Sequence, residues 1–294
     1  MQSHSSQPPH SAATVPDGLN VTRLAALRRP HPSTATLPGR IRAHLDASDG
    51  YVALSGGKDS LVVLHLVLAV EPNVPVVFFD SGFEFPETYR YLEQLVNELH
   101  LQLQWIKARR TTLQVLADTG AWDHHATRSP AMPDLHDILI TEPAGRAHQQ
   151  HGHGELWGVR AEESRGRAAL YANALRVEVT GSCTGCCAGA PRPMTARRRR
   201  HGGVVRRVDA TVAFGPIWDW KTADVWGYIA RHDLPVNPVY AKLRRLGAPE
   251  HLQRISHMLD GGRLEEGRVT WMRRGWPDIF EDLAQVLPRL REFV

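Results

Sequence analysis

The run YVALSGGKDSLVVLHLV, from Tyr51 to Val67, restricts the fold more than any other stretch of the chain. A strand-like apolar segment breaks at two glycines, and apolar residues then return at helical spacing. A strand that enters a Gly-Gly turn and opens straight into a helix presents successive backbone N–H groups and the positive helix end at the carboxyl edge of a sheet. An anion binds there. Gly56 and Gly57 permit close backbone approach, Ser55 and Ser60 offer hydroxyls, and Lys58 supplies a positive charge suited to phosphate. Asp59 is placed to help hold Mg2+ against phosphate oxygens. The spacing differs from the G-x-x-x-x-G-K-[ST] loop. A turn needing glycines only for geometry would leave Ser, Lys, Asp and Ser without a purpose.

Strand and helix patterns alternate around this loop. A helix is predicted from Lys58 to about Val70, a buried strand in VPVVFFDSG, a helix in FPETYRYLEQLVNELHL, a strand in QLQWIKA and another in ELWGV. Parallel strands need crossovers, so the expected class is α/β: a doubly wound, Rossmann-like parallel sheet with a helical C-terminal extension. Residues 1–36 read as a flexible tail with a short helix, 37–247 as the nucleotide-binding domain, and 248–294 as the extension. Loop insertions are expected near 121–154 and 181–207, an extended segment over RVDATVAFGPIWDW, and a helix in TADVWGYIARHD with Thr222 as its N-cap.

Composition narrows the class further. With 42% hydrophobic and 22% charged residues the chain is globular, and it contains no apolar run long enough to span a membrane. The N-terminal segment has no apolar core of the signal-peptide kind, so a cytoplasmic location is expected. The three cysteines, Cys183, Cys186 and Cys187, cluster in GSCTGCCAG and cannot staple distant parts of a secreted domain. They could carry persulfide sulfur, bind zinc or an iron–sulfur cluster with His201 or a small molecule as a further ligand, or be inert. Six arginines between Ala196 and Arg207 concentrate the positive charge. Arg197 to Arg200 suit either a nucleic-acid backbone or a solvated surface. The histidines of HQQHGHG, with His124 and His125, read as exposed loop residues.

SGGKDS resembles the pyrophosphate-binding loop of the adenine nucleotide alpha-hydrolase superfamily, and three further segments resemble the phosphoadenylylsulfate (PAPS) reductase family within it. FFDSGFEFPETYRYLEQL resembles its Asp-Thr-Gly … Phe-Pro-Glu-Thr signature, with Ser81 in place of Thr. WGVRAEESRGR resembles Gly-Leu-Arg-x-x-x-Ser-x-x-Arg, and PIWDWKTADVWGYIARHDLPVNPVY a later family run. The resemblance covers residues 37–247. It implies a nucleotide site built from Ser55, Gly56, Gly57, Asp59, Ser60, Asp80, Ser164 and Arg167, with Lys58 and Arg160 as electrostatic catalysts. Asp80 and Glu87 read equally well as turn and capping residues.

Two departures from the reductases bear on the reaction. No cysteine follows Cys187, whereas family reductases carry a nucleophilic cysteine near the C-terminus, and the first loop is intact where reductases commonly alter it. The leading expectation is therefore an enzyme that takes ATP and Mg2+, cleaves between the alpha and beta phosphates, and adenylylates an acceptor in sulfur metabolism or sulfur modification. A sulfur donor and a homo-oligomer are compatible with this. The alternatives are a sulfonucleotide reductase with relocated thiols and a non-catalytic nucleotide-binding module.

Overall fold

In the computed structural model, residues 25–119, 136–181, 194–255 and 268–294 are described. Six strands form one sheet: β1 (Gly50–Ala53), β2 (Val76–Asp80), β3 (Leu103–Lys107), β4 (Gly154–Leu156), β5 (Val204–Arg206) and β6 (Val212–Phe214). Their order is β3-β2-β1-β4-β6-β5, with all pairs parallel except β5 against β6. β1 and β2 are almost wholly buried and, up to Asp80 at the end of β2, free of charged residues, as central parallel strands covered on both faces are.

The winding of the chain sets the site. It runs outward from β1 through β2 to β3, then returns to β4 on the other side of β1. The carboxyl ends of β1 and β4 therefore flank a topological switch point, the crevice where open α/β sheets bind ligands. Helix α1 (Leu37–Ala47) precedes β1, and α2 (Lys58–Leu68) follows it. Ser60, Leu61, Val62, Val63, Leu64, Leu66 and Val67 of α2 are all buried, so this helix is enclosed on nearly every face. Helix α3 (Pro86–Leu99) begins with Pro86 in its first turn, where a missing N–H costs nothing, and ends at His100 in the left-handed region (φ 51°).

Helix α4 (Thr112–Thr119) follows β3, and the region expected as loop resumes at residue 136 as a π-helical turn (Asp137–Thr141) leading into helix α5 (Glu142–His151). His148 and His151 lie on that helix against the sheet, with ring centroids 5.2 and 6.1 Å from Tyr51, and are not exposed loop residues. Residues 165–181 form helix α6 (Arg165–Gly181), and Arg197–Arg200 lie on helix α7 (Met194–His201). The segment read as extended over 207–220 contains only the short β6; a turn after β5 makes the two an antiparallel hairpin. Helix α8 (Thr222–Arg231) starts one residue earlier than expected: Lys221 is the N-cap, its N–H donating to Asp224 Oδ2 (2.8 Å).

Beyond helix α9 (Pro238–Arg245), helices α10 (Arg268–Gly275) and α11 (Pro277–Val286) close a second hydrophobic cluster in which Met272, Trp276, Phe280 and Leu283 meet Phe83, Phe85, Val239 and Tyr240. Among the described residues no helix is long and apolar enough to cross a membrane.

Candidate active site

The loop after β1 owes its shape to contacts from both near and far in sequence. Gly56 adopts φ +73°, a conformation costly for a side-chain-bearing residue. Ser60 Oγ donates to Gly57 O (3.0 Å) and accepts from Ser55 N (3.2 Å), while the two serine hydroxyls stand 3.1 Å apart. From the far side, buried Asn237 donates to Gly56 O (3.4 Å) and Thr88 Oγ1 (3.1 Å), and its Oδ1 caps α9 at Val239 N (3.0 Å). Tyr240 OH accepts from Lys58 N (3.1 Å). The N-cap of α2 is Gly57, which brings no side-chain acceptor to the helix end. That leaves a positive helix terminus ringed by Ser55 and Lys58.

Charge in the first turn of α2 is arranged around one carboxylate. Asp59 Oδ2 accepts from Lys58 Nζ (2.8 Å) and Oδ1 from Arg160 Nε (2.7 Å). Arg160, which follows β4, is only 2% exposed. Its Nη1 donates to Glu162 Oε2 (2.8 Å) and Trp220 O (3.1 Å), and its Nη2 to Thr222 Oγ1 (3.2 Å). Burial alone would lower the guanidinium pKa, but Asp59, Glu163 and Glu162 outweigh it and hold the pKa above its ordinary value. Glu162 is itself held below the usual carboxylate range; burial opposes this, and the Thr222 N–H, the Arg160 fork and the Thr222 hydroxyl overcome it. Gly158 makes the junction possible: a Cβ there would lie 2.6 Å from Ser60 N and 2.7 Å from the Asp59 carbonyl carbon. Strand β4's loop thus presses directly on the first turn of α2.

The other expected residues occupy distinct places. Asp80, buried at the carboxyl end of β2, accepts at Oδ1 from Gly82 N and Tyr89 OH, each at 2.8 Å. Ser164 is exposed and accepts from Arg167 N (3.1 Å) at the start of α6, while Arg167 pairs with Glu163 at 2.5 Å. Glu87 binds Lys242 Nζ (2.9 Å) and Trp276 Nε1 (2.8 Å), tying α3 to the C-terminal helices. The loop therefore gathers Ser55 to Ser60 and Arg160, with Asp80 one strand away and Ser164 and Arg167 farther along the β4 connection. Cys183, Cys186 and Cys187 lie outside the described residues, as do His124 and His125.

Both oxygens of Asp59 and one of Asp80 already hold donors, so these carboxylates are not a prepared coordination set for resident Mg2+. Among the described residues no three His, Cys, Asp or Glu side chains converge as a metal site.

Beside the loop, a cleft opens between the ends of β1 and β2, bordered by Leu54, Ser55, Phe79, Ser81 and Glu84, with Leu139 and Ile140 of the π-helical turn above. Glu84 was not anticipated from the sequence. It is 8% exposed, accepts from Ser81 Oγ at Oε1 (2.7 Å), and has no hydrogen-bond partner at Oε2. Burial pushes its carboxyl up to about 8; the Ser81 hydrogen bond opposes this and Asp80 adds to it. A charge between two phenylalanines in FEFPET was the available signal. Asn237 and Tyr240 were visible only as residues that pack the fold, and their grip on the loop comes from tertiary structure.

A family model described as the phosphoadenosine phosphosulfate reductase domain matches residues 50–251. The chain belongs to the PAPS reductase family. A curated relative named phosphoadenosine 5'-phosphosulfate reductase, from Alkalilimnicola ehrlichii, is 30% identical over 242 residues, covering 82% of this chain and 80% of its own length. One of the same name from Xylella fastidiosa is 28% identical over 214 residues, with 71% and 76% covered. Among solved structures, the PAPS reductase of Candida auris aligns with TM-score 0.45 at 17% identity, covering 80% of this chain and 95% of that one. The family match spans the loop, the Asp80 turn, the Arg160 segment and the Asn237–Tyr240 clamp together.

Proposed function

We propose that this family member is an enzyme that binds an adenine nucleotide in the crevice, with the base in the cleft between β1 and β2 and the charged 5' group on the loop from Ser55 to Ser60. The glycine-capped start of α2 beside Lys58, where Tyr240 takes only the first N–H, carries this reading. Lys58 and the loop N–H groups would stabilise charge on the departing group, and Asp59 would hold Lys58 in place. Arg160, buried and fully engaged, would act as a positioning residue that fixes Asp59.

For the reaction, the names of the relatives favour sulfonucleotide reduction over the ATP cleavage that the sequence put first. In that reaction a thiolate attacks the sulfonate sulfur, the sulfur–oxygen bond to the nucleotide phosphate breaks, and the phosphate leaves on the loop. Cys183, Cys186 and Cys187 are the chain's thiols. The second reading, cleavage of magnesium ATP between the alpha and beta phosphates, is favoured by the intact Ser-Gly-Gly-Lys-Asp-Ser loop, with Mg2+ arriving on the nucleotide.

Calorimetric titration with adenylyl sulfate, its 3'-phosphorylated form and magnesium ATP, using Lys58→Ala as control, separates the two. Tight Lys58-dependent sulfonucleotide binding is the expected result, with sulfite released only while the cysteines are intact and a dithiol reductant is added to attack the enzyme S-sulfonate and leave as a disulfide. Tight magnesium ATP binding with pyrophosphate release would replace it with the second reading. Failure of all three to bind would refute the nucleotide site.

A further inference from the structure

Among the described residues, Glu84 is the one acidic side chain on the wall of the cleft beside the loop. Its surroundings on the chain are apolar: Phe83 and Phe85 flank it and are both buried. Ser81 engages only Oε1, and the Ser81 hydroxyl is fixed in turn by accepting from Phe83 N (3.2 Å). Oε2 is buried without a protein partner. A buried polar oxygen left unmatched costs stability, so its retention in a cleft wall points to a ligand group that completes it.

We propose that Glu84 reads the nucleobase, its Oε2 hydroxyl donating to a ring nitrogen of adenine seated in the cleft. This rests on the nucleotide reading given above. A neutral carboxyl offers one donor and one acceptor side by side. That pattern complements the adjacent ring-nitrogen acceptor and 6-amino donor of adenine. A 6-oxopurine places a carbonyl where the amino group would stand, opposing acceptor to acceptor on one edge, and a protonated N1 on the other, opposing donor to donor. Leu54 and Phe79 from the sheet and Leu139 and Ile140 from the π-helical turn provide the apolar walls a base ring requires. The neutral state follows from the setting. Burial dominates, Asp80 on β2 lies nearby, and Tyr89 of α3, itself bound to Asp80, is the other titratable neighbour; its hydroxyl is pushed up by burial and by Asp80 and stays protonated throughout the range concerned.

The test measures dissociation constants of ATP and inosine triphosphate for the full chain, for Glu84→Gln and for Glu84→Leu, between pH 7 and pH 9.5. Glutamine keeps the donor–acceptor pair without titrating. The wild type should prefer ATP, and its ATP affinity should weaken by about tenfold as the pH rises through the Glu84 transition. Glu84→Gln should keep the preference with a flat profile, which also corrects for titration of the nucleotide itself. Glu84→Leu should lose most of the discrimination between the bases. A wild-type profile parallel to that of Glu84→Gln, or an unchanged ATP-to-inosine triphosphate ratio in Glu84→Leu, would overturn the role of Glu84 while leaving the nucleotide site standing. Failure of the wild type to bind either nucleotide at any pH would remove both.

Discussion

Replacing Arg160 by methionine tests whether this guanidinium is a strut or a ligand contact. The substitution removes four donated hydrogen bonds, to Asp59, Glu162, Trp220 O and Thr222, from a side chain that is 2% exposed. Breaking one side of a buried ion pair costs about 3–5 kcal/mol, because the partner charge is left uncompensated. Here Asp59 keeps Lys58, and the Glu162 side chain is 34% exposed and keeps the Thr222 N–H, so the lower end is expected, about 3 kcal/mol. Arg160→Lys retains charge but cannot span Asp59 and Thr222 together, and should recover less than half of the loss. Urea unfolding followed by tryptophan fluorescence supplies the free energies, with Trp220 buried beside the network. Combining Arg160→Met with Asp59→Asn completes a double-mutant cycle, in which a coupling above about 1 kcal/mol is expected. If Arg160→Met unfolds within about 1 kcal/mol of wild type and weakens only nucleotide binding, Arg160 is a ligand contact and the strut argument fails.

Gly158→Ala forces a Cβ to within 2.6 Å of the backbone at Ser60, which cannot swing away as a side-chain tip can. It should cost about 1–3 kcal/mol and weaken nucleotide binding by displacing the first turn of α2; unchanged values of both would show that the loop yields freely. Glu87→Gln should loosen the C-terminal helices by about 1 kcal/mol, read as faster proteolysis within 268–294. Lys242 and Trp276 hold Glu87 below its ordinary value against the effect of burial, so its contribution is present above the unfolded-state value and fades as pH falls through the folded one. Glu84 acts with the opposite sign. Its folded value, raised from 4.5 to about 8, makes its contribution complete below about 4.5 and lost as pH rises through 8. Denaturation at pH 6 and pH 9 should show wild type losing about 2–3 kcal/mol more than Glu84→Gln.

The sheet and the loop were legible because they follow from local rules. Two glycines between an apolar strand and an apolar helix leave few geometries, and the apolar runs 51–54 and 76–79 demand burial on both faces. What escaped the sequence were roles set by distant partners. Arg160 reads in the sequence as an electrostatic catalyst, and its enclosure as a buried strut is visible only once Trp220 and Thr222, about sixty positions on, are seen to engage it. His148 and His151 lie in a Gly- and Gln-rich string, and their place on a helix packed against Tyr51 is not written in its periodicity. Thr222 was expected as an N-cap, but a carboxylate from another loop claims its hydroxyl and N–H instead. Periodicity has no access to such pairings.

The grip of Asn237 and Tyr240 on Gly56 and Lys58 spans 181 and 182 positions of chain. During synthesis, strand β1, helix α2 and the Ser55–Ser60 contacts of the loop emerge early, yet the clamp that holds this loop from the far side is incomplete until residue 240 has left the ribosome. Closing so long a segment is slow compared with forming either local element, because its entropy is lost before the contacts repay it. The fully clamped loop is thus among the last parts of the molecule to be assembled. A nascent or truncated chain ending before residue 237 carries the glycine motif in full without its distant clamp, so the proposed nucleotide site is complete only in a chain that has folded through to α9.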